Sequence, residues 1–271
     1  MAGSREVPWA IIPTAGKGTR LRPATDVIPK VLLPVGLRPM LDWALDEAFG
    51  SGVAAVIVVV SPEQEEVRRH LQRRADDLSW PREVALHLVE QPQPRGLGDA
   101  LIRCRSLTGG DSFGVVVPDN WFDTDVPALA QVAVTHRNTG LDSLGLVRVG
   151  PQQAALLGNV GRVDLEHLQD HDYRITKLGD KRAGAFEIDG DEPVLRGCAR
   201  YVLGPTFYDA LEETGPPPEG EWDDVPAFQH LAAHGGLAGR RLAGVHFDVG
   251  QPAGYLGAMS YLFERLSDSA A

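Results

Sequence analysis

Short apolar runs alternate with segments of helical periodicity in the first half of the chain. Residues 54–60 form a valine- and isoleucine-rich run that is typical of a parallel strand buried on both faces. Residues 39–50 place apolar side chains at helical spacing and end near two glycines. The predicted strands of this half are residues 9–14, 54–60, 84–89 and 114–117, and the predicted helices are residues 39–50, 99–107 and 126–138, with one more helix opening at Ser61-Pro62-Glu63. This alternation predicts an open α/β sheet with right-handed crossovers.

After about residue 142 the apolar runs are separated by looser connections. The predicted strands are residues 144–149, 161–165, 173–178, 198–203 and 241–248, the predicted helices are residues 206–214, 225–233 and 252–266, and a proline-rich loop covers residues 215–220. No long linker and no internal repeat divides the sequence. We therefore expect one domain over residues 1–271, with two halves that meet near residue 142.

Composition and charge narrow the class of protein. The chain has 271 residues, 43% apolar and 23% charged, which is ordinary globular composition. A net charge of −11 makes duplex nucleic acid and anionic membranes poor partners. The longest apolar run, residues 53–60, has only the length of a strand, and residues 1–8 lack an apolar signal core, so we expect a soluble, cytoplasmic protein. Cys104 and Cys198 lack zinc-ligand spacing and are expected to be reduced, buried thiols.

A glycine-rich basic loop follows the first predicted strand. Its sequence, Ala15-Gly16-Lys17-Gly18-Thr19-Arg20, would let backbone N–H groups approach a phosphate chain closely. It lacks the Gly-Lys-Ser/Thr ending of a P-loop, and position 21 is leucine where a dinucleotide fingerprint needs glycine. Lys17, Arg20, Arg22 and Lys30 all fall within residues 17–30, where even spreading would place about one basic residue. The cluster favours an anion site over the alternative of a solvated basic loop.

The same segment resembles a family signature. Gly16-x-Gly18-Thr19-Arg20-Leu21-x-Pro23-x-Thr25, followed by Pro29-Lys30-x-x-Leu33-Pro34-Val35, is similar to the sugar nucleotidyltransferases, in particular the bacterial UTP–glucose-1-phosphate uridylyltransferases. The resemblance implies a Rossmann-like open mixed sheet, mostly parallel and flanked by helices, of the nucleotide-diphospho-sugar transferase type. It also implies that Ala15, Gly16, Gly18 and Thr19 bind the nucleotide and that Arg20 and Lys30 act on the phosphates at the reacting centre.

Further segments resemble the family in the same order along the chain. Gln91 and Gly96 match the base-recognition segment, and an amide side chain suits the imide edge of uracil or thymine. Asp119 and Asp248 match the two carboxylates that bind Mg²⁺, an ion that needs few protein ligands when phosphates supply others. On the sugar side the matching residues are Gly161, Thr176 and Lys177, with Lys177 matching the lysine that binds the sugar phosphate. The nucleotide-binding half would thus end near residue 142, and the sugar-binding half would follow it.

The resemblance implies a reaction and leaves its substrates open. A nucleoside triphosphate, UTP first, would react with a sugar 1-phosphate, glucose 1-phosphate first, to give an NDP-sugar and pyrophosphate. The family's glutamate, tyrosine and proline are replaced by Thr176, Val160 and Leu178, and its Thr-Asp pair is missing near residues 221–227. Because of these departures, two alternatives stay open. One is the same reaction with dTTP or GTP and a modified sugar or cyclitol 1-phosphate, and the other is a catalytically weak regulator that binds sugar nucleotides. A homo-oligomer is a further open alternative, and a nicotinamide-dependent dehydrogenase is disfavoured by Leu21.

Overall fold

Nine strands of the described chain form one mixed sheet in the computed structural model, which describes residues 7–150, 162–180, 188 and 192–269. The strands are β1 Trp9–Pro13, β2 Pro34–Val35, β3 Arg38–Pro39, β4 Ala55–Val60, β5 Ala85–Glu90, β6 Phe113–Val116, β7 Asn120–Asp123, β8 Asp142–Val149, β9 Val163–Gln169, β10 Asp172–Leu178, β11 Val194–Leu203, β12 Leu237–Arg241 and β13 Val245–Asp248. The helices are α1 Met40–Gly50, α2 Glu65–Ala75, α3 Leu97–Ile102, α4 Arg105–Thr108, α5 Ala128–Thr139, α6 Pro205–Thr214, α7 Val225–Ala233 and α8 Pro252–Ser269.

The strand directions confirm the predicted mixed, mostly parallel sheet. The order is β5-β4-β1-β6-β11-β8-β12-β10-β9. Within it, β11 and β10 run opposite to the other seven strands. Two smaller ribbons, β7 with β13 and β2 with β3, lie outside this sheet.

Helices cover both faces of the sheet, which explains the continuous apolar runs of its central strands. In β4, Val56 and Val58 pack toward α1, α2 and α5, whereas Ile57 and Val59 pack toward α3, α6 and α7. A strand buried on both faces has no solvent side for polar residues. All six residues of β4 are accordingly buried.

Three predicted elements were wrong in detail. The segment Ser61-Pro62-Glu63 does not open a helix, because Gln64 donates its backbone N–H to the Ser61 carbonyl at 3.1 Å and closes a turn, so α2 begins at Glu65. The helix predicted over residues 99–107 is two short helices, α3 and α4, broken at residues 103–104.

The strand predicted over residues 241–248 is two strands in different sheets. The chain turns at Gly244, whose φ of 102° is unfavourable for other residues, and Ala243 donates its N–H to Gln131 on α5 at 2.8 Å. As a result β12 joins the large sheet, while β13 pairs with β7, a strand that the sequence pattern did not predict.

The two cysteines are buried and make no disulfide, as predicted. Burial raises the pKa of Cys104 and of Cys198 to about 12, so both thiols stay protonated near neutral pH. No helix among the described residues combines the length and apolarity that crossing a membrane requires.

Candidate active site

The glycine-rich loop leaves the carboxyl end of β1, in the middle of the parallel part of the sheet. Thr14 anchors its start by donating both its backbone N–H and its hydroxyl to the Val59 carbonyl, at 2.8 and 2.7 Å. Gly18 has a φ of 65°, and a Cβ built there would lie 2.7 Å from Cβ of Lys30. Glycine at this position therefore lets Lys30 pack directly against the loop.

Lys30 forms a largely buried ion pair with Asp119, which lies shortly after the end of β6. The Lys30 ammonium donates to the Asp119 carboxylate, and the two side chains are only 13% and 16% exposed. The Asn120 amide donates to the second carboxylate oxygen at 3.0 Å. Burial alone would raise the pKa of Asp119, but Lys30, Asn120 and Arg20 outweigh it and hold that pKa at about 2. Asp119 is therefore a carboxylate at every working pH.

Asp248, at the end of β13, is held beside Asp119. Val249 donates its N–H to the Asp119 carbonyl at 2.8 Å, which ties the two segments together. Gly250 is near both carboxyl groups, since its N–H donates to Asp248 at 3.2 Å and an added Cβ would approach the Asp119 carboxylate to 2.6 Å. Burial, and then the negative charge of Asp119, raise the pKa of Asp248. Two acidic groups in mutual repulsion are an arrangement that a bound cation stabilises.

Two cavities meet at Arg20 and Asp119. The first has a volume of 530 Å³, and the predicted residues that line it are Ala15, Gly16, Gly18, Thr19, Arg20, Lys30, Gln91, Gly96 and Asp119. The second has a volume of 320 Å³ and contains Asp248 together with residues of β11 and of the segment 221–225. The structure thus brings together residues from four separate stretches of sequence. Basic side chains and carboxylates lie where the two cavities meet.

The chain matches a protein-family model over most of its length. The nucleotidyl transferase model matches residues 9–262, which is nearly the whole described chain. The chain belongs to the nucleotidyl transferase family.

Named relatives of this nucleotidyl transferase cover almost its full length. It is 27% identical to UTP–glucose-1-phosphate uridylyltransferase 1 of Staphylococcus saprophyticus, over 93% of this chain and 91% of the relative. It is 28% identical to the UTP–glucose-1-phosphate uridylyltransferase of Mycoplasma pneumoniae, with the same coverage. Among solved structures it is similar to UDP-glucose pyrophosphorylase complexed with UDP-glucose, with a TM-score of 0.81 and 22% identity over 96% of this chain and 99% of the other. That structural likeness confirms the fold.

Gln91 presents a single hydrogen-bonding function to the first cavity. Its amide nitrogen donates to the Gly96 carbonyl at 3.0 Å and to the Asp99 carboxylate at 2.8 Å. Burial raises the pKa of Asp99, but hydrogen bonds from Arg103 and Gln91 outweigh it and lower that pKa. An ionised Asp99 can only accept, so it fixes the orientation of the Gln91 amide. The Gln91 amide nitrogen is thus occupied within the protein, and its Oε1 can accept a hydrogen bond in the cavity, while the predicted role of Gln91 in base recognition stays a prediction.

We expect Asp99→Asn to weaken nucleotide binding through Gln91. An asparagine can donate as well as accept, so the Gln91 amide is no longer held in one orientation. The KM for the nucleotide should rise about 2- to 10-fold, the worth of one hydrogen bond, with kcat unchanged. In a Gln91→Ala background, Asp99→Asn should cause no further rise in the KM for the nucleotide, and a double-mutant cycle measures this coupling. An equal rise in KM in both backgrounds would contradict this coupling.

The predicted sugar-side residues are not brought into the second cavity by the described structure. Thr176 and Lys177 lie on β10 and are exposed, and neither is among the described residues that line a cavity. A register shift between Ile175 and Lys177 interrupts the alternation of the strand, and Thr176 donates its hydroxyl to the Asp164 carbonyl at 3.2 Å. Gly161 lies outside the described residues. The roles of these three residues stay predictions.

A buried ion pair holds the segment that carries Asp119, and the sequence pattern did not predict it. The Arg200 guanidinium donates to both Glu47 carboxylate oxygens, at 2.6 and 2.8 Å, and Arg200 is 2% exposed. It also donates to the backbone carbonyls of Val117, Ala199 and Asn120. Arg200 thereby holds the segment that carries Asp119. The available signal was a charged residue inside an otherwise apolar predicted strand.

His246 supports the same segment. Its Nε2 lies 3.0 Å from Oδ1 of Asn120, whose amide nitrogen is used by Asp119. Burial, followed by the positive charges of Arg196 and Arg200, lowers the pKa of His246 well below its ordinary value, so the ring is neutral. A neutral ring facing an amide oxygen donates through Nε2. His246, to which the sequence assigned no role, therefore orients Asn120 toward Asp119.

Proposed function

We propose that this nucleotidyl transferase joins UTP to glucose 1-phosphate, giving UDP-glucose and pyrophosphate. The observation that carries the proposal is the meeting of two cavities at one charged centre, formed by Arg20, Lys30 and Asp119. The larger cavity holds the glycine loop and Gln91 and suits a nucleoside triphosphate. The smaller one suits a sugar phosphate. The names of the relatives above support UTP and glucose 1-phosphate as the first substrates to test.

The residues present fit a bound Mg²⁺. The Gly250 N–H donates to the Asp248 carboxylate at 3.2 Å, and a Cβ built at Gly250 would lie 2.6 Å from the Asp119 carboxylate, so both carboxylates border this glycine. No group of three or more His, Cys, Asp or Glu residues suitable for a metal occurs in the described chain. Two carboxylates without further protein ligands match an ion that takes most of its ligands from phosphates and water. Asp119 and Asp248 would hold the ion, which would supply charge neutralisation for the two phosphate chains.

The reaction needs no general base. An oxygen of the acceptor phosphate attacks the α-phosphorus of UTP, the bond from that phosphorus to the β-phosphate oxygen breaks, and pyrophosphate leaves. Because the attacking group is already an anion, positioning and charge neutralisation are sufficient. Arg20 lines both cavities and can neutralise charge on either substrate. Lys30 lies at their junction and can stabilise negative charge as the bond to pyrophosphate breaks.

The chemistry of Gln91 supports dTTP as a second candidate nucleotide. Its Oε1 can accept the imide N–H that uracil and thymine share, so this contact does not distinguish the two bases. The exposed Thr176, where the family carries a glutamate, favours testing modified sugar and cyclitol phosphates beside glucose 1-phosphate. A non-catalytic regulator is disfavoured because Arg20, Lys30, Asp119 and Asp248 are all retained at the junction.

The test is pyrophosphate release with Mg²⁺ across UTP, dTTP, GTP, ATP and CTP, each with glucose 1-phosphate and with a panel of other sugar and cyclitol phosphates. We expect release with UTP and glucose 1-phosphate, and its loss in Asp119→Asn. Release with another combination of nucleotide and acceptor phosphate would support the same reaction with different substrates. Nucleotide binding without release across the whole panel would overturn the proposal in favour of a binding protein.

A further inference from the structure

Arg196 is a buried cation for which the described residues supply no ion pair within salt-bridge distance. It is 3% exposed, and among the described residues its guanidinium makes no salt bridge and no hydrogen bond. Its Nε is fully buried and unpartnered. Taking a charged group out of water without a partner costs several kcal/mol, so such groups in native proteins have a compensating charge or ligand.

A second buried arginine on the same strand shows what a structural role looks like. Arg200 lies four residues along β11 and is equally buried, but Glu47 binds it through two hydrogen bonds and backbone carbonyls accept the rest. The described residues therefore satisfy the Arg200 guanidinium completely and leave the Arg196 Nε without a hydrogen-bond partner. That difference assigns Arg200 to the scaffold and indicates a ligand for Arg196.

The position of Arg196 identifies the kind of ligand. It lines the smaller cavity together with Arg20, Asp119 and Asp248, and it does not line the larger, nucleotide-sized cavity. Burial lowers the pKa of the Arg196 guanidinium, and Cys198 and Asp248 act in the opposite direction, which places Arg196 near Asp248. Arg196 thus lies at the end of the smaller cavity where the two carboxylates are, which is the end that phosphate groups would occupy.

The lysine predicted for the acceptor phosphate is not among the described residues that line the smaller cavity. Lys177 is exposed on β10, outside the described lining of either cavity. An arginine fork can hold two phosphate oxygens at once, which a lysine ammonium does only as a point charge. Within the described residues, Arg196 is the buried cation that the smaller cavity offers in addition to the exposed Arg20.

We propose that Arg196 binds the phosphate of the sugar 1-phosphate acceptor and positions its attacking oxygen beside Asp119 and Asp248. The assignment rests on the proposed function for the identity of the acceptor. It predicts that the buried guanidinium serves binding at the expense of stability, since removing an unpaired buried charge is neutral or stabilising when an apolar side chain of similar size replaces it.

The test compares Arg196→Met with Arg196→Lys and with Arg73→Met, which removes an exposed arginine from α2. Three quantities are measured: the KM for each substrate, the melting temperature, and the retention of glucose 1-phosphate in equilibrium dialysis with Mg²⁺ and α,β-methylene UTP. In Arg196→Met we expect the KM for glucose 1-phosphate to rise about 10- to 100-fold, the worth of a charged hydrogen-bonded pair. The KM for UTP should not rise, and the melting temperature should not fall. In Arg196→Lys the KM for glucose 1-phosphate should lie between the values for the wild type and Arg196→Met. Arg73→Met should match the wild type.

Two results would overturn the assignment. One is an unchanged KM and unchanged retention of glucose 1-phosphate in Arg196→Met. The other is a melting temperature that falls by several degrees in both Arg196 variants, which would make Arg196 part of the scaffold. Dialysis keeps this test separate from the proposed function. If the wild type forms no product but retains glucose 1-phosphate in an Arg196-dependent way, the phosphate site stands and the reaction does not.

Discussion

Replacing Lys30 by alanine should lower kcat for pyrophosphate release by about 10² to 10³, the loss that follows removal of one donor aimed at developing negative charge. Lys30 is largely buried between the glycine loop and Asp119, at the junction of the two cavities. Its ammonium can neutralise charge on the triphosphate as pyrophosphate leaves. The KM values should change much less than kcat, because the interaction strengthens as the bond breaks.

Arg22→Ala is the matched control for Lys30→Ala. Arg22 belongs to the same basic cluster, but it is 59% exposed, pairs with Asp26 at 2.9 Å, and does not line either cavity within the described residues. Its kcat should stay within about two-fold of wild type, as expected for a surface ion pair. Wild-type turnover in Lys30→Ala, or an equal loss in both variants, would contradict the assignment of Lys30 to the reacting centre.

Glu47→Ala should be the most destabilising single substitution considered for this protein. It would leave the Arg200 guanidinium, 2% exposed, without its carboxylate. Breaking a buried ion pair from one side costs about 3–5 kcal/mol in the free energy of unfolding. Because Arg200 also holds the carbonyls of Val117 and Asn120, kcat should fall as the segment carrying Asp119 loosens. Denaturant unfolding and steady-state kinetics measure the two effects.

The neighbouring residue on α1 supplies the control. Asp46 is 42% exposed and pairs with Arg38 at 2.5 Å and with Arg74 at 3.2 Å, and Arg74 keeps Asp42 as a second carboxylate partner at 3.3 Å. Asp46→Ala should cost at most about 1 kcal/mol, because exposed ion pairs contribute little. If Glu47→Ala and Asp46→Ala destabilise equally, the Glu47–Arg200 pair does not support the site. A Glu47→Ala/Arg200→Met double variant should recover part of the lost stability, since the unpaired charge is removed with its partner.

Much of the fold, and many of the residues that line the larger cavity, could be predicted because they depend on short sequence patterns. The apolar run of β4 reflects burial on both faces, and the glycine loop must follow a strand end to reach a phosphate. Asp119 sits just beyond β6, which neighbours β1, so one sheet edge collects both segments. The errors of element boundary were also local, since the Ser61 turn and the Gly244 turn depend on hydrogen bonds that a periodicity does not reveal.

The rest of the site depends on contacts between distant segments. The pairing of Arg200 with Glu47 joins residues 153 positions apart, and nothing in either local sequence indicates it. The same strand carries Arg196, which has no ion pair among the described residues, and only the folded structure distinguishes the two arginines. The register shift in β10 likewise leaves Thr176 and Lys177 on the exterior, where strand alternation alone would have aimed one of them inward.

The most direct test of the central claim uses glucose 1-phosphate labelled with ¹⁸O in its phosphate, together with UTP and Mg²⁺, and identifies the products by mass spectrometry. Attack of the acceptor phosphate on the α-phosphorus predicts UDP-glucose that retains all of the label and pyrophosphate that carries none, with neither product formed by Asp119→Asn. Formation of orthophosphate or free UMP, label in the pyrophosphate, or unchanged product formation by Asp119→Asn would contradict the account.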